Sequence, residues 1–500
     1  MNFRLLSKIL GTLLCLIALA MGVSASYAHF ADDGGFLALA ISAGITFTAS
    51  LAMLVKGKGS GNDILRREGM VVVGLGWIMA AAFGMLPYLL CAPRLGLVDA
   101  FFESVSGFTT TGSTVIEDLD PWPRSLLFWR SLTQWLGGMG IIVLFVAVLS
   151  YLGVGSKALM RHETSAQLSD GASARVQRVA AGLWLVYLGL TLVCFLGLWI
   201  LGLIVPGLDL GIYDALTHTF TTISTGGFSP YNASLGHFDS LLVEIWVALF
   251  MLASSVSFML YALIIRSARN GDWARVRKRL ALEEEARAFL LIVAVTTIGI
   301  AVSLVLHADR AIGDSLRASF FTVTSIITTG GFVTDNYDHW PVGAWTTLLM
   351  LTVIGGCSGS TAGGIKVSRV LLMLRISYSE VVRSFRPNLV EPLKLNGAIV
   401  DERSRLEPLL FISLSALICL LGTVLAAFLD PSVHDFETAL GATVATLYNT
   451  GPGFGEVGAD NTYAALHGWT KLMLSLFMIL GRLELFAVLV LFVPSLWRRY

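Results

Sequence analysis

The sequence predicts an all-α polytopic membrane protein, in which four membrane–pore-helix–membrane repeats surround a central pore and follow an N-terminal two-helix hairpin. Three observations predict this fold class. The chain is far more apolar than a soluble protein, a short element with Thr and Gly occurs once in each of four units, and the basic residues gather in a few connections. Together they indicate one pore built from internal repeats.

The composition argues against a soluble globular protein. Hydrophobic residues make up 55% of the 500 residues and charged residues 14%, whereas soluble domains have roughly 25% charged residues. The mean hydropathy is +0.75. Uncharged runs such as residues 183–205 contain the roughly 20 residues that a helix needs to cross a bilayer. The chain is therefore predicted to cross a membrane many times.

The basic residues predict the orientation of the chain. Of the 34 lysines and arginines, 27 lie in six segments: the N-terminus with Arg4 and Lys8, residues 56–67, 157–178, 266–287 and 366–405, and the C-terminal Arg498 and Arg499. The positive-inside rule places these segments, and with them both termini, in the cytoplasm. Nucleic-acid binding is disfavoured as their explanation, because they adjoin predicted spans.

The cysteines do not indicate a disulfide-bonded protein, and the N-terminus has two interpretations. The cysteines lie scattered in apolar surroundings without a CxxC pair and are interpreted as small buried side chains: Cys15, Cys91, Cys194, Cys357 and Cys419. The first 28 residues resemble a signal peptide in their basic start and small final residues. We favour a retained first span, and the later topology is the same either way.

The apolar runs divide the chain into a hairpin and four units. Each unit has a first span, a segment too short to cross, and a second span. If the short segments enter the membrane and return as pore helices, every strongly basic connection falls on one side. The predicted boundaries are 1–60 for the hairpin and 61–160, 161–275, 276–400 and 401–500 for the repeats.

The predicted elements have approximate bounds. The hairpin spans are 5–27 and 35–55. The first spans of the repeats are 70–92, 180–205, 286–307 and 407–429. The pore helices are 98–110, 212–224, 316–328 and 436–449. The second spans are 126–152, 239–265, 342–376 and 468–494.

A polar element follows each predicted pore helix. Aligned on a shared glycine, the elements are Thr110-Thr111-Gly112, Ser224-Thr225-Gly226, Thr328-Thr329-Gly330 and Asn449-Thr450-Gly451. Helix-capping glycines would explain one or two occurrences, but not a polar pair before each of four glycines. A cation that leaves water needs oxygen ligands, and four re-entrant loops can supply a ring of backbone carbonyls. These residues are therefore predicted to form a cation filter.

Two features of the predicted second spans are unusual for a membrane helix. Residues 355–369, GGCSGSTAGGIKVSR, are rich in Gly and Ser, and such backbone is tolerated at membrane depth only where it faces protein or a water-filled cavity. Arg482 lies within the last predicted span, where a charge is costly enough to indicate a function. Glu484 lies two positions away, and on a helix it would point to a different face.

Other residues carry weaker signals. His218, in the second pore helix, could titrate near neutral pH, but a packed histidine is the simpler interpretation. Trp122, Trp340 and Trp469 lie near span starts and are predicted to be interface anchors. Acidic residues on the outer side would concentrate cations at a pore mouth; they are Glu117, Asp118, Asp120, Asp335, Asp338, Glu456 and Asp460.

Taken together, the motifs resemble a known family. They are SVSGFTTTGSTV followed by WRSLTQWLGGMGIIVL, then TTISTGGFSP, TTGGF, GGCSGSTAGGIKV, and NTGPGF ahead of GRLELF. This set is similar to the Trk/Ktr/HKT superfamily of potassium transporters, and most similar to its TrkH branch. The resemblance runs over nearly the whole chain and includes the N-terminal hairpin.

The resemblance implies that K+ is the transported ion, that carbonyls of the filter residues hold it, and that the chain binds no cofactor. Plant relatives with serine in place of the first-repeat glycine prefer sodium, so Gly112 favours potassium. The alternative is an H+- or Na+-coupled K+ symporter, or a less selective K+/Na+ transporter. A membrane enzyme is disfavoured, since the spans contain no recognisable nucleophile, metal cluster or paired carboxylates.

The resemblance also implies a gate. The broken segment would form an intramembrane loop under the filter, with Arg482 facing it. Residues assigned to this gate are Gly355, Gly356, Gly359, Gly363, Gly364, Lys366 and Arg482. Lys366 is also explained by a side chain that snorkels to the cytoplasmic interface.

The implied location is the bacterial inner membrane, and the implied partners are a second copy of the chain, membrane lipid and a cytosolic TrkA-type ring that binds NAD or ATP. No nucleic acid is implied. The chain itself contains no Gly-rich nucleotide-binding motif, so control by a nucleotide would require such a partner.

Overall fold

The computed structural model describes residues 2–60, 66–140, 172–386, 393–400, 402–483 and 485–494. Within these ranges the chain is almost entirely helical, and the sole sheet pairs two strands of two residues each. The end of the predicted second span of repeat one, from residue 141, and Glu484 lie outside the described residues.

The predicted N-terminal hairpin is present as two long helices, α1 (Phe3–Ala31) and α2 (Phe36–Lys56). On the turn between them, Asp33 accepts hydrogen bonds from the backbone N and the Oγ of Ser125, at 2.6 and 3.0 Å. At the opposite end, the backbone N of Asn2 donates to Glu68 at 2.6 Å. The hairpin is therefore held at both ends against repeat one.

The four repeats follow in chain order. Repeat one consists of α3 (Arg66–Gly84), α4 (Leu86–Leu90), α5 (Leu97–Phe108) and α6 (Arg124–Gly138). Repeat two consists of α7 (Ala172–Ile204), α8 (Ile212–Ile223), α9 (Leu241–Ser254), α10 (Phe258–Arg269) and α11 (Trp273–Leu282). Repeat three consists of α12 (Glu284–His307), α13 (Ile312–Ile327), α14 (Val342–Val353), α15 (Val367–Phe385), β1 (Lys394–Leu395) and β2 (Ala398–Ile399). Repeat four consists of α16 (Glu402–Leu429), α17 (Phe436–Leu447), α18 (Gly468–Arg482) and α19 (Phe486–Leu489).

The helices predicted for the hairpin and for the first spans are present and long enough to cross a membrane. Among the described residues, 6 helices are long and apolar enough to cross a membrane. They are the two hairpin helices and the first span of each repeat. The predicted pore helices are also present as α5, α8, α13 and α17, with 12 to 16 residues each.

The second spans differ from the prediction, which broke the helix only in repeat three. In repeat two, α9 and α10 meet at an angle of 89°. In repeat four, α18 ends at Arg482, and the described residues beyond it form the short α19 and a 3-10 turn, Val490–Phe492. The expected continuous second spans of repeats two and four are thus wrong. In repeat one, α6 ends at Gly138.

Glycines at two of these helix ends allow a close approach to the pore helices. Gly137 lies against the carbonyl oxygen of Phe108 at the end of α5, and Gly481 lies against that of Leu447 at the end of α17. A Cβ on either glycine would lie closer than 3.0 Å to that oxygen. The second spans therefore pack backbone to backbone against the pore helices of their own repeats.

The segment between α14 and α15, residues 354–366, forms the predicted loop, and we call it the intramembrane loop. Its ends lie side by side, since the backbone N of Ile365 donates to the carbonyl of Val353 at 2.9 Å, and the N of Gly355 donates to the carbonyl of Ile365 at 3.0 Å. Gly359 and Gly364 have φ of 74° and 66°, a region in which only glycine is free of strain.

Two of the three tryptophans predicted to be interface anchors are buried, and most of the cysteines are buried as predicted. Trp122 and Trp340 are only 7% and 5% exposed and belong to the hydrophobic core, so they are not interface anchors, whereas Trp469 is 71% exposed. The cysteines are all free, and four of them are buried: Cys91, Cys194, Cys357 and Cys419.

We expect Gly137→Ala to lower the midpoint of thermal unfolding, because the new Cβ would collide with the backbone of Phe108, which cannot move without shifting α5. Overpacking of this kind costs about 1–3 kcal/mol. The matched control is Gly189→Ala in α7, where nothing lies within 4 Å. Thermal unfolding of the two purified variants in detergent measures the effect, and equal midpoints would contradict the packing described here.

Candidate functional site

The four pore helices end in the same backbone conformation. A residue with positive φ follows each helix: Thr110, Thr225 and Thr329 at 53° and Asn449 at 57°. The backbone N of the next residue donates to the carbonyl five positions earlier; these next residues are Thr111, Gly226, Gly330 and Thr450. A glycine with positive φ then follows: Gly112 (87°), Gly227 (77°), Gly331 (71°) and Gly451 (101°). We call these last four residues the shared glycines.

This geometry shifts the sequence alignment by one residue in repeats two and three. Gly226 and Gly330, expected to match Gly112, lie one position before the shared glycine of their repeats. Ser224 and Thr328, predicted to belong to the filter, lie at the ends of their pore helices, where their hydroxyls donate back to helix carbonyls. The repeats therefore differ before the shared glycine, with threonine in repeats one and four and glycine in the other two.

The shared glycines lock the four repeats into a closed ring. Each lies against the carbonyl oxygen of the residue that precedes the shared glycine in the next repeat, so closely that a Cβ would fall within 3.0 Å. The contacts run from Gly112 to Gly226, from Gly227 to Gly330, from Gly331 to Thr450 and from Gly451 to Thr111. Both the contact and the positive φ exclude a side chain at these positions.

Polar side chains brace the loops of this ring. In repeat four, the Nδ2 of Asn449 donates to the Oγ1 of Thr111 at 2.8 Å and to the carbonyl of Met478 at 2.9 Å. The Oγ1 of Thr111 also shares a hydrogen bond of 2.7 Å with the Oγ1 of Thr109. Repeats one and four are thus joined by side chains as well as by backbone contact.

Two buried polar atoms at the ring have no hydrogen-bond partner among the described residues: Oγ1 of Thr450 and Oδ1 of Asn449. Such atoms are costly unless an ion or a water satisfies them. The described part of the chain contains no group of three or more His, Cys, Asp or Glu that could hold a metal. A cation at the ring would therefore be held by uncharged oxygens, which suits an ion that must also leave.

A cavity of about 160 Å³ opens on one side of the ring. All four shared glycines line it, which independently supports the corrected alignment. Glu117 and Asp460, two of the acidic residues expected at a pore mouth, also line it. The cavity is therefore the mouth of the ring.

Three of the other acidic residues near the mouth have structural contacts. Asp335 pairs with Arg310. Asp338 accepts a hydrogen bond from the backbone N of Ala459 at 3.2 Å, and its burial raises the pKa of its carboxyl. Asp118 accepts a hydrogen bond from Asn232, which lowers the pKa of Asp118. These carboxylates fix the loops around the mouth.

The intramembrane loop lies against the opposite side of the ring. Hydrogen bonds join it to three pore-helix ends: from the Oγ1 of Thr361 to the carbonyl of Ile223 at 3.1 Å, from the N of Gly363 to the Oγ1 of Thr329 at 2.7 Å, and from the N of Gly364 to the carbonyl of Tyr448 at 2.9 Å. It also touches repeat two at its bend, where the N of Cys357 donates to the carbonyl of Ser255 at 2.8 Å. The loop therefore covers the ring from below.

Arg482 connects the intramembrane loop to repeat one. Its Nη1 donates to the carbonyl of Thr361 at 2.7 Å, and its Nη2 donates to the carbonyls of Gly137 and Gly138, each at 2.8 Å. The arginine therefore lies against the loop, where the sequence resemblance expected it. The loop and Arg482 together touch elements of all four repeats.

The other predicted gate residues lie in the same loop. Gly355 and Gly356 lie so close to Gly363 and Ala362 that a Cβ on either would fall within 3.0 Å of them. The ammonium of Lys366 donates to the carbonyl of Ala362. This contact braces the end of the loop, and snorkelling of Lys366 to the cytoplasmic interface stays a prediction.

Gln134 of α6, which no sequence motif singled out, also contacts the ring. Its Nε2 donates to the carbonyl of Gly226 at 2.6 Å, and its Oε1 accepts from the N of Phe228 at 3.1 Å. A residue of repeat one thus holds the backbone of repeat two on both sides of Gly227. The available signal was an uncharged polar residue inside an apolar span, which is costly there unless it has a partner.

The comparison with protein families decides which family this arrangement represents. A family model described as "TrkH: Cation transport protein" matches residues 40–499. The chain belongs to the TrkH family. Among TrkH-family proteins, it is 36% identical to the Trk system potassium uptake protein TrkH of Halomonas elongata and to that of Escherichia coli (strain K12), with 100% of both chains covered in each case.

Solved structures of the TrkH family confirm the fold. The crystal structure of the potassium transporter TrkH from Vibrio parahaemolyticus matches with a TM-score of 0.85 and 33% sequence identity, over 100% of both chains. The Trk system potassium uptake protein TrkG of Escherichia coli (strain K12) is a more distant relative, 31% identical over 99% of both chains. The predicted fold class is therefore confirmed.

We expect Gly331→Ala to reduce cation flux roughly tenfold or more, the effect of about 1.4 kcal/mol, because its Cβ would meet the backbone carbonyl of Thr450. Gly330→Ala should be milder, since its Cβ meets the flexible side chain of Met251. Flux into liposomes containing the purified variants measures the difference. A Gly330→Ala variant as damaged as Gly331→Ala would show that the alignment is not shifted.

Proposed function

We propose that this chain takes up potassium across the bacterial inner membrane, through a selectivity filter made of the four polar loops. The main support is the closed ring in which each shared glycine lies against a carbonyl of the next repeat. Further support comes from relatives that match over their full length and are named potassium uptake proteins.

In the proposed filter, backbone carbonyls replace the water shell of K+. The residues with positive φ are the best candidates, since no described backbone N–H donates to their carbonyls. They are Thr110, Thr225, Thr329 and Asn449. The carbonyl of Gly226 has a different role, because Gln134 donates to it. Four neutral oxygens from four repeats would bind K+ weakly enough for it to pass on.

We propose that the intramembrane loop and Arg482 form the gate. The loop covers the ring from below through contacts with three pore-helix ends. A guanidinium below a cation filter would oppose the passage of K+ electrostatically. Movement of the loop away from the ring would break the hydrogen bond between Arg482 and Thr361 and open the path.

We further propose a homodimer in contact with membrane lipid, regulated by a cytosolic TrkA-type ring that binds NAD or ATP. The name "Trk system" of the relatives supports a multicomponent assembly. The basic residues 266–287 are the proposed docking segment. Glu285, at the end of this segment, accepts hydrogen bonds from the N of Ser358 and the N of Ser368, at 2.7 and 3.0 Å. A docked partner would therefore act directly on the base of the intramembrane loop.

We expect Gly112→Ser to reduce the discrimination of K+ over Na+, because the new side chain would meet the carbonyl of Gly226 and distort the ring. Flux into liposomes under K+, Rb+, Na+ and Li+ gradients measures the discrimination. Gly189→Ser, on an open face of α7, is the control and should behave as the unmodified chain. Unchanged discrimination in Gly112→Ser would refute the filter assignment.

The same liposomes separate a gated channel from a coupled symporter. A K+ gradient alone should drive flux through the unmodified chain. A requirement for an H+ or Na+ gradient would instead indicate a coupled symporter, and equal flux of Na+ would indicate a less selective transporter.

We expect Arg482→Ala to raise the basal K+ flux in the absence of any partner, because it removes both the charge below the filter and the hydrogen bonds to the intramembrane loop. Arg383→Ala is the matched control, since Arg383 pairs with Glu380 on the exposed end of α15. Basal flux in liposomes measures the effect. If Arg482→Ala and Arg383→Ala conduct equally, the gate assignment is wrong.

A further inference from the structure

A buried ion pair lies beside the ring, and neither the filter nor the gate assignment uses it. Glu103 of α5 and Arg130 of α6 are 0% and 3% exposed, and the Nε of Arg130 lies 2.6 Å from the Oε1 of Glu103. Ionisable residues inside membrane proteins are costly. Replacing a buried ion pair by apolar residues is often neutral or stabilising. The pair therefore requires an explanation other than stability.

Glu103 holds the backbone that leaves the filter in repeat one. Its Oε2 accepts from the backbone N of Val115 at 3.0 Å, and both of its oxygens accept from the Oγ1 of Thr114 at 3.1 Å. Thr114 and Val115 lie just beyond the shared Gly112. The carboxylate thus fixes the outer end of the first filter loop.

Arg130 holds the corresponding backbone in repeat two. Its Nη1 donates to the carbonyl of Ser229 at 2.9 Å, and its guanidinium lies 3.5 Å from the ring centre of Phe228. Both residues directly follow the shared Gly227. Arg130 therefore links the segments that follow the first two shared glycines, directly in repeat two and through Glu103 in repeat one. Its planar guanidinium can make both contacts at once, which a lysine ammonium cannot do in the same geometry.

Gln134 extends this contact along the same face of α6, one helical turn from Arg130. Its hydrogen bonds to Gly226 and Phe228 flank Gly227. Together, Arg130 and Gln134 hold the backbone of repeat two immediately before and after its shared glycine. The second filter loop is therefore shaped by side chains of repeat one.

The corrected alignment shows that this arrangement is specific to repeats one and two. The pore-helix residues seven positions before the residue of positive φ are Glu103, His218, Thr322 and Ala442. Only the first two carry ionisable side chains. Glu103 is linked to Ser229 through Arg130, and the Nε2 of His218 lies 3.1 Å from the Oγ of Ser229. Repeats one and two thus share a polar network that repeats three and four do not have at these positions.

We infer that Glu103, Arg130 and Gln134 are positioning residues that set the discrimination of the filter between K+ and Na+. The inference rests on the proposed function of the ring as a filter. Arg130 and Gln134 fix the spacing between the first two loops, and so the distance between their carbonyls. Glu103 cancels the charge of Arg130, which lines the mouth cavity, so that the mouth does not repel cations.

The test compares the apparent KM for K+ and the ratio of K+ to Na+ flux in liposomes. Gln134→Met keeps the shape of the side chain but loses both hydrogen bonds, and should lower the flux ratio roughly tenfold, as for the loss of buried hydrogen bonds. Arg130→Lys, which keeps the charge and loses the planar fork, should lower the ratio as well. Protein yield and elution volume should match those of the unmodified chain.

Neutralising the pair separates charge from position. Glu103→Gln leaves an uncompensated guanidinium at the mouth and should raise the KM for K+. Adding Arg130→Gln to it should restore the KM but not the flux ratio. Arg317→Gln is the control, because Arg317 of α13 pairs with Asp239 and Glu244 instead, and it should leave the ratio unchanged.

The inference is overturned if Gln134→Met and Arg130→Lys leave the ratio of K+ to Na+ flux unchanged, even where both fluxes fall. It is also overturned if Arg317→Gln changes this ratio as much as they do. Should the Arg130 variants fail to fold, Gln134→Met and Gln134→Glu decide the outcome by the same criteria. An unchanged ratio in Gly112→Ser would instead refute the filter itself. A changed ratio in Gly112→Ser with an unchanged ratio in Gln134→Met would refute only the positioning role.

Discussion

At the centre of the protein, a glycine of each repeat lies against a backbone carbonyl of the next repeat, and the four contacts close into a ring. Backbone can approach backbone this closely only where no side chain intervenes, which requires glycine. The pore helices end short of the ring, and a residue of positive φ then turns each chain toward its shared glycine. Loops at this depth are stable only because protein surrounds them.

The same constraint explains the shape of the second spans. They pass beside the pore-helix ends, and Gly137 and Gly481 meet backbone carbonyls there without the room for a side chain. The bend of 89° between α9 and α10 frees carbonyls of repeat two for the intramembrane loop. Interruption of these helices therefore creates polar backbone below the ring, where the intramembrane loop and Arg482 bind it.

Two arginines lie on opposite sides of the ring, and their surroundings differ in a way that suits different roles. Arg130, at the mouth, pairs with the carboxylate of Glu103, so its charge is cancelled there. Arg482, below the ring, donates to the carbonyls of Thr361, Gly137 and Gly138. The upper arginine therefore links the backbone of the first two filter loops, and the lower one links the intramembrane loop to repeat one.

The sequence alone determined the hairpin, the first spans, the pore helices and the polar elements, because apolar length, charge and local motifs are properties of neighbouring residues. It could not choose between the adjacent glycines of Gly226-Gly227 and Gly330-Gly331, since either fits a local pattern. Only contacts between repeats made that choice, along with the bend in repeat two and the position of Gln134 against Gly226. Such contacts join residues far apart in the chain, and no local pattern specifies them.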